Sequence, residues 1–256
     1  MGRALPLLLL LLGPALRGGG PEVRIVYDNT SARPDLRAGW GFAAVVTLDG
    51  RRLLFDSGAD PDLFLENLRK MDVRPDSIQA AVISHEHDDH IGGIFRLHSL
   101  YFPMAVHFLE SFPPQEFAEA VSVGLQPKRV NGPEEILPGL FSTGLVAGHP
   151  DEQALAIPTA KGLVVITGCS HPGVVRMVEA AERSRGVDRV RLLVGGFHLL
   201  DTPPQEIEAI AARLKALRVE RVMPAHCTGE KAMKILDRVY GQGCERAGAG
   251  KRIELD

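Results

Sequence analysis

Cysteine is scarce in this chain: three occur in 256 residues, Cys169, Cys227 and Cys244. An odd number without framework spacing excludes a fold built on disulfides. No block of Lys or Arg stands out, and a formal net charge of -3 leaves no basic field for a polynucleotide, so no nucleic-acid partner is expected. Beyond residue 20 there is no apolar run long enough to cross a bilayer, which excludes a stable membrane span there. What remains is a globular composition, long enough to bury a full core.

The first twenty residues stand apart. Arg3 precedes an apolar, Leu-rich run from Ala4 to Leu16 that is broken by Pro6 and Pro14, and Arg17-Gly18-Gly19-Gly20 follows as a polar exit. Such a segment reads as a secretory signal or as a non-native N-terminal extension. A genuine signal implies a secreted or periplasmic protein; otherwise a cytoplasmic one is expected. Residues 21–256 are left as one folded domain.

The densest chemistry lies in Ser84-His85-Glu86-His87-Asp88-Asp89-His90-Ile91-Gly92-Gly93. It follows Ala80-Ala81-Val82-Ile83, a brief continuous apolar run that predicts a buried strand. Imidazoles and carboxylates crowded where a core strand gives way to a loop are too polar for a core. They are the ligands that zinc, iron or manganese takes. Other strand ends carry related turns: Asp56-Ser57-Gly58 after Arg52 to Phe55, Gly168-Cys169-Ser170-His171 after Leu163 to Thr167, Gly195-Gly196-Phe197-His198 after Arg189 to Val194, and His226-Cys227 after Val222 to Ala225.

The pattern His-x-His-x-Asp-His at a strand end resembles that of metallo-β-lactamase-fold proteins. The resemblance implies an α/β four-layer αββα sandwich of two similar halves with a dinuclear site at one edge. It implies His85, His87 and His171 for one ion, and Asp89, His90 and His226 for the other. Asp56 would orient ligands from behind, and Cys169 stands where the family usually has a bridging Asp, as an extra or bridging ligand. His149, in Gly148-His149-Pro150, superficially matches an earlier family histidine and competes with His171. Asp151-Glu152-Gln153, Gly168-Cys169-Ser170-His171, Gly196-Phe197-His198-Leu199 and His226-Cys227-Thr228-Gly229 together resemble the dihydropteroate-synthase-like branch, which includes an archaeal enzyme joining a dihydropterin to a ribofuranosyl-aminobenzene phosphate. Many relatives have Glu-His-Gly where this chain has Gly39-Trp40-Gly41, so substrate contacts from that loop are expected to differ.

Between these turns the pattern predicts an antiparallel start at Val23 to Tyr27, Phe42 to Leu48 and Arg52 to Phe55. Helices are predicted at Pro61 to Met71, about Ile94 to Leu100, Pro204 to Leu217 and Glu230 to Tyr240. Pro103 to Leu140 is Pro-rich and weakly periodic, with Val106 to Leu109 strand-like and Pro113-Pro114 a break; by family analogy it would cover the pocket. His98 and His107 fall outside any motif and read as structural.

Two divalent ions are therefore expected, zinc from the His-rich set, with iron or manganese also suited. Hydroxide held between them would attack an ester, lactone or phosphoester of a small-molecule substrate, with Asp89 and His198 the catalytic candidates. The transferase of the related branch is the alternative, and a metal or redox sensor using Cys169 and Cys227 a further one.

Overall fold

A computed structural model of the chain describes residues 20–100 and 104–255. The signal-like segment and the His98 side chain lie outside the described residues. Two mixed sheets pack face to face. The first runs β13-β1-β2-β3-β4-β5-β6 and the second β12-β11-β10-β9-β8-β7. Their strands are β1 Glu22–Tyr27, β2 Ala43–Leu48, β3 Arg51–Phe55, β4 Ala80–Val82, β5 Ala105–Leu109, β6 Gln126–Val130, β7 Glu134–Leu137, β8 Leu140–Ser142, β9 Leu155–Thr159, β10 Gly162–Thr167, β11 Val190–Gly196, β12 Val219–Ala225 and β13 Arg252–Glu254.

Alternation along these strands decides the layers. In β2, Ala44 and Val46 face the other sheet, where they meet Leu155, Ile157, Val164, Ile166, Leu192 and Val194. Ala43 and Val45 point the opposite way, into a second core with Leu63, Phe64 and Leu68 of α1 (Pro61–Lys70) and Ile91, Ile94 and Leu97 of α2 (Asp88–Leu100). The second sheet does the same. Val165 and Leu193 turn outward to Met177 and Val178 of α4 (Val174–Arg185), Ile207, Ala211 and Leu214 of α5 (Pro204–Ala216) and Leu236 of α6 (Glu230–Tyr240). Both sheets are thus covered on both faces, which is why their strands read as continuous apolar runs. The result is the expected αββα sandwich.

Two local expectations need correction. The helix expected from about Ile94 begins at Asp88, so Asp88, Asp89 and His90 form its first turn and are not loop residues. Carboxylates in a first turn complement the helix dipole, which offsets two interior glycines at Gly92 and Gly93. The segment from Pro103 to Leu140 is more regular than expected: its described part supplies β5 and β6 to one sheet and β7 and β8 to the other. Pro114 does not break structure there but opens α3 (Pro114–Ser122), since proline at the first helical position lacks only an N–H that would be unpaired anyway. His107 pairs with Glu134 at 3.2 Å, the structural role expected of it.

Candidate metal centre

The strand ends of both sheets meet along one rim, and three of the candidate imidazoles there, His85, His90 and His226, are oriented by a partner behind them. Asp56, at the end of β3, is fully buried. Its Oδ1 accepts the Ser84 N–H at 2.7 Å, and its Oδ2 accepts the Ser84 hydroxyl proton at 2.8 Å. Having given its proton to Asp56, the Ser84 oxygen must accept from Nδ1–H of His85, 2.8 Å away. The same Asp56 Oδ2 takes Nδ1–H of His90 at 2.7 Å. Asn29 donates through Nδ2 to the His226 carbonyl at 3.1 Å, which leaves its Oδ1 to accept from His226 Nδ1 at 3.0 Å. Asp28 accepts the His226 N–H at 2.8 Å. One carboxylate, one serine and one amide thus fix three tautomers, and every Nε2 lone pair is turned toward the rim.

A different device sets the turn after β10. Glu152 is completely buried; its Oε1 accepts from the N–H groups of Gly168, Cys169 and Ser170 at 3.1, 3.0 and 2.9 Å, and its Oε2 from His171 N–H at 2.8 Å. Burial pushes this carboxyl up to about 7, against the pull of those amides. Ser170 is held at φ 67, and the sharp turn that results brings both Cys169 and His171 to the rim.

Two trios of donors form there. His85, His87 and His171 present ligand atoms within 4.8 Å of one another, as do Asp89, His90 and His226. The His226 Nε2 lies 3.1 Å from Asp89 Oδ2 and 3.3 Å from His90 Nε2. Cys169 sits between the trios: it forms a further such group with His85 and His90, its Sγ 3.2 Å from His90 Nε2. His198 stands at the outer edge, exposed, with its ring centroid 4.2 Å from that of His171, and groups with Cys169 and Cys227. His149 is exposed and belongs to none of these groups.

These residues fit divalent cations. The Nε2 atoms of His85 and His171 are buried and have no hydrogen-bond partner, an arrangement that costs about 1–3 kcal/mol for each polar atom left bare. Burial holds His85 well below the usual imidazole range and, with His198 and His87 nearby, pushes His171 down to about 3. Both rings are therefore neutral, with a lone pair available to a cation. Burial opposes ionisation of Asp89, yet its bond to His226 and the nearby His90 hold its carboxyl far below the usual range.

The sequence matches the Metallo-beta-lactamase superfamily over residues 38–226, a span that includes both donor trios. The chain belongs to the metallo-beta-lactamase superfamily. It is 30% identical over 249 residues to 7,8-dihydropterin-6-methyl-4-(beta-D-ribofuranosyl)-aminobenzene-5'-phosphate synthase of Methanocaldococcus jannaschii, covering 80% of this chain and 85% of the relative. The crystal structure of Tm1679, a metal-dependent hydrolase of the beta-lactamase superfamily, superposes with a TM-score of 0.77 at 29% identity, over 92% of this chain and 99% of that one. The metallo-beta-lactamase fold protein YhfI from Bacillus subtilis gives 0.69 at 14% identity over 92% and 100%, which speaks to the fold alone.

The sequence singles out the candidate donors of the rim and Asp56 behind them, but not the rest of what holds them: Asp28, Asn29 and Ser84 carry no expected role, and Glu152 enters only within the branch motif. A polar pair directly after β1 is the available signal for Asp28 and Asn29. The role of Glu152 is not legible, because its partners are backbone amides that only the folded turn assembles.

Proposed function

We propose that this superfamily member is a dinuclear metal-dependent hydrolase acting on a small ester, lactone or phosphoester. The observation that carries the proposal is the pair of buried, neutral, unpartnered Nε2 atoms on His85 and His171, in a rim where His90 and His226 are fixed from behind. His85, His87 and His171 would hold one ion and Asp89, His90 and His226 the other, with Cys169 between them; zinc is the first choice, iron or manganese the others. When bound, such ions supply Lewis acidity to an electrophilic centre and lower the pKa of water.

The chain's own groups do the rest. Asp89 is part-exposed and ionised, so it can orient an attacking water by accepting its hydrogen bond. His198, on the solvent side of His171, is placed to hydrogen-bond substrate oxygen or return a proton to the leaving group. Asp56 and Glu152 keep the donors in place, so little rearrangement is needed as charge develops. The test is a panel of ester, lactone and phosphodiester substrates: turnover abolished by a chelator and restored by zinc, iron or manganese supports the reading, and turnover indifferent to chelation contradicts it.

One observation favours a second reading. The synthase of Methanocaldococcus jannaschii, 30% identical, joins two molecules rather than hydrolysing one, and two cations can equally hold a phosphorylated leaving group. Coupling of a dihydropterin to a ribofuranosyl-aminobenzene phosphate without uptake of water would place this chain with that transferase.

A further inference from the structure

Among the described residues three large apolar side chains are strongly exposed, and two of them, Trp40 at 56% and Leu200 at 51%, stand together at the metal rim. They line one cavity of about 330 Å³ with His198, Asp201, Thr202 and Cys227. Its walls adjoin a residue of each donor trio. The Trp40 ring lies edge-on to His226 at 4.8 Å between centroids, and the His198 ring is 4.2 Å from His171.

The Trp40 indole is carried on a stiff support. A Cβ at Gly39 would come within 2.5 Å of the Tyr27 hydroxyl oxygen, and one at Gly41, held at φ +133, within 2.3 Å of the Asp89 carbonyl oxygen. Two glycines thus press the Gly39-Trp40-Gly41 loop onto β1 and onto the first turn of α2. Gly41 N–H is also bonded to Asn29 Oδ1 at 3.1 Å, the same oxygen that orients His226. On the opposite wall Leu200 packs against Gly229, where a Cβ would meet its Cδ1 at 2.8 Å. Both apolar faces are therefore set in position before anything binds.

Apart from the Asp201 carboxylate, the polar groups that line the cavity are His198, Thr202 and Cys227. A large aromatic face left in water beside a reactive centre marks a recognition surface. An indole favours a flat ring through stacked or edge-on contact.

We propose that Trp40 and Leu200 form the specificity subsite of this centre, taking a planar aromatic group whose scissile bond lies toward the metal trios. This rests on the hydrolase reading for the bond that is cut, but the recognition of the ring does not depend on turnover. The substrate class is thereby narrowed to aromatic esters and aryl-fused lactones.

Trp40 is the only tryptophan in the sequence, so its emission reports this subsite alone. Affinities of the metal-loaded chain for coumarin and its saturated counterpart octahydrocoumarin would be measured by calorimetry, with quenching of Trp40 emission locating the ring. Coumarin is expected to bind and quench saturably, and octahydrocoumarin to bind about tenfold more weakly, the contribution of one aromatic contact. Trp40→Phe should keep the preference and Trp40→Ala abolish it. Leu200→Ala, followed through Trp40 emission, should weaken coumarin several-fold. Equal affinity for coumarin and octahydrocoumarin, or coumarin binding that leaves Trp40 emission unchanged, overturns the proposal. Coumarin preference in a chain that shows no chelator-sensitive turnover would sink the hydrolase reading and leave the subsite standing; turnover without ring preference would do the reverse.

Discussion

Asp56 carries more of the site than any single ligand. It bonds Ser84 twice and His90 once, and through Ser84 it fixes His85. Asp56→Asn offers an N–H where His90 needs an acceptor, so metal affinity should fall about 10- to 100-fold, as measured by competition with a colorimetric chelator; affinity unchanged in Asp56→Asn would deny it that role. His171→Ala should lose one ion and nearly all turnover, whereas His149→Ala, an exposed position outside the donor groups, should leave both unchanged. Loss on His149→Ala would reverse that assignment. The sequence made the candidate donors legible because imidazoles and carboxylates crowded at strand ends are unusual residues there. It left His149 and His171 in competition because the choice depends on how the turn after β10 closes on Glu152, a contact across 19 positions. Cys169 was legible as a departure from the family's Asp, and its place beside His90 makes a sulfur donor between the trios the expected consequence of that departure.

At the scale of elements, α2 is anchored by close backbone approach. A Cβ at Gly93 would lie 2.3 Å from the Ser57 carbonyl oxygen, and one at Gly92 2.5 Å from that of Ala59. Backbone cannot rotate away as a side chain does, so Gly93→Ala must push the helix from the Asp56 loop. A loss of about 1–3 kcal/mol is expected from denaturant unfolding, together with weaker metal retention, because α2 carries Asp89 and His90 in its first turn. A fully stable Gly93→Ala variant with normal metal content would contradict this account of α2. The Gly pair was legible as a close approach, but the start of α2 was not: three His and two Asp mask the helical pattern, and only packing of Ile91, Ile94 and Leu97 into the core settles it. A similar masking hid β6 and β7, whose charged residues leave only Val130, Ile136 and Leu137 to pack on the cores while edge pairing holds the rest.

Across the whole molecule the donors divide by sheet. His85, His87, Asp89 and His90 follow β4, while Cys169, His171, His198 and His226 follow β10, β11 and β12. Ions held between them would tie the two halves together at one rim, so chelation should lower the melting temperature on the order of 10 °C, the shift expected when a tightly bound ligand worth about 4 kcal/mol is withdrawn. An unchanged melting curve after complete removal of metal would mean that the halves are held by the inter-sheet core alone. That core was the most legible part of the fold, since Val164, Ile166, Leu192 and Val194 announce buried strands in any context. The pairing order of the sheets was not, because β13 joins β1 across the full length of the chain.

The most direct measurement is metal per chain by elemental analysis, on the parent protein and on His171→Ala. The account predicts two equivalents of zinc, iron or manganese in the parent and one in the variant. A folded parent holding no metal, or a variant that keeps both ions, would contradict it.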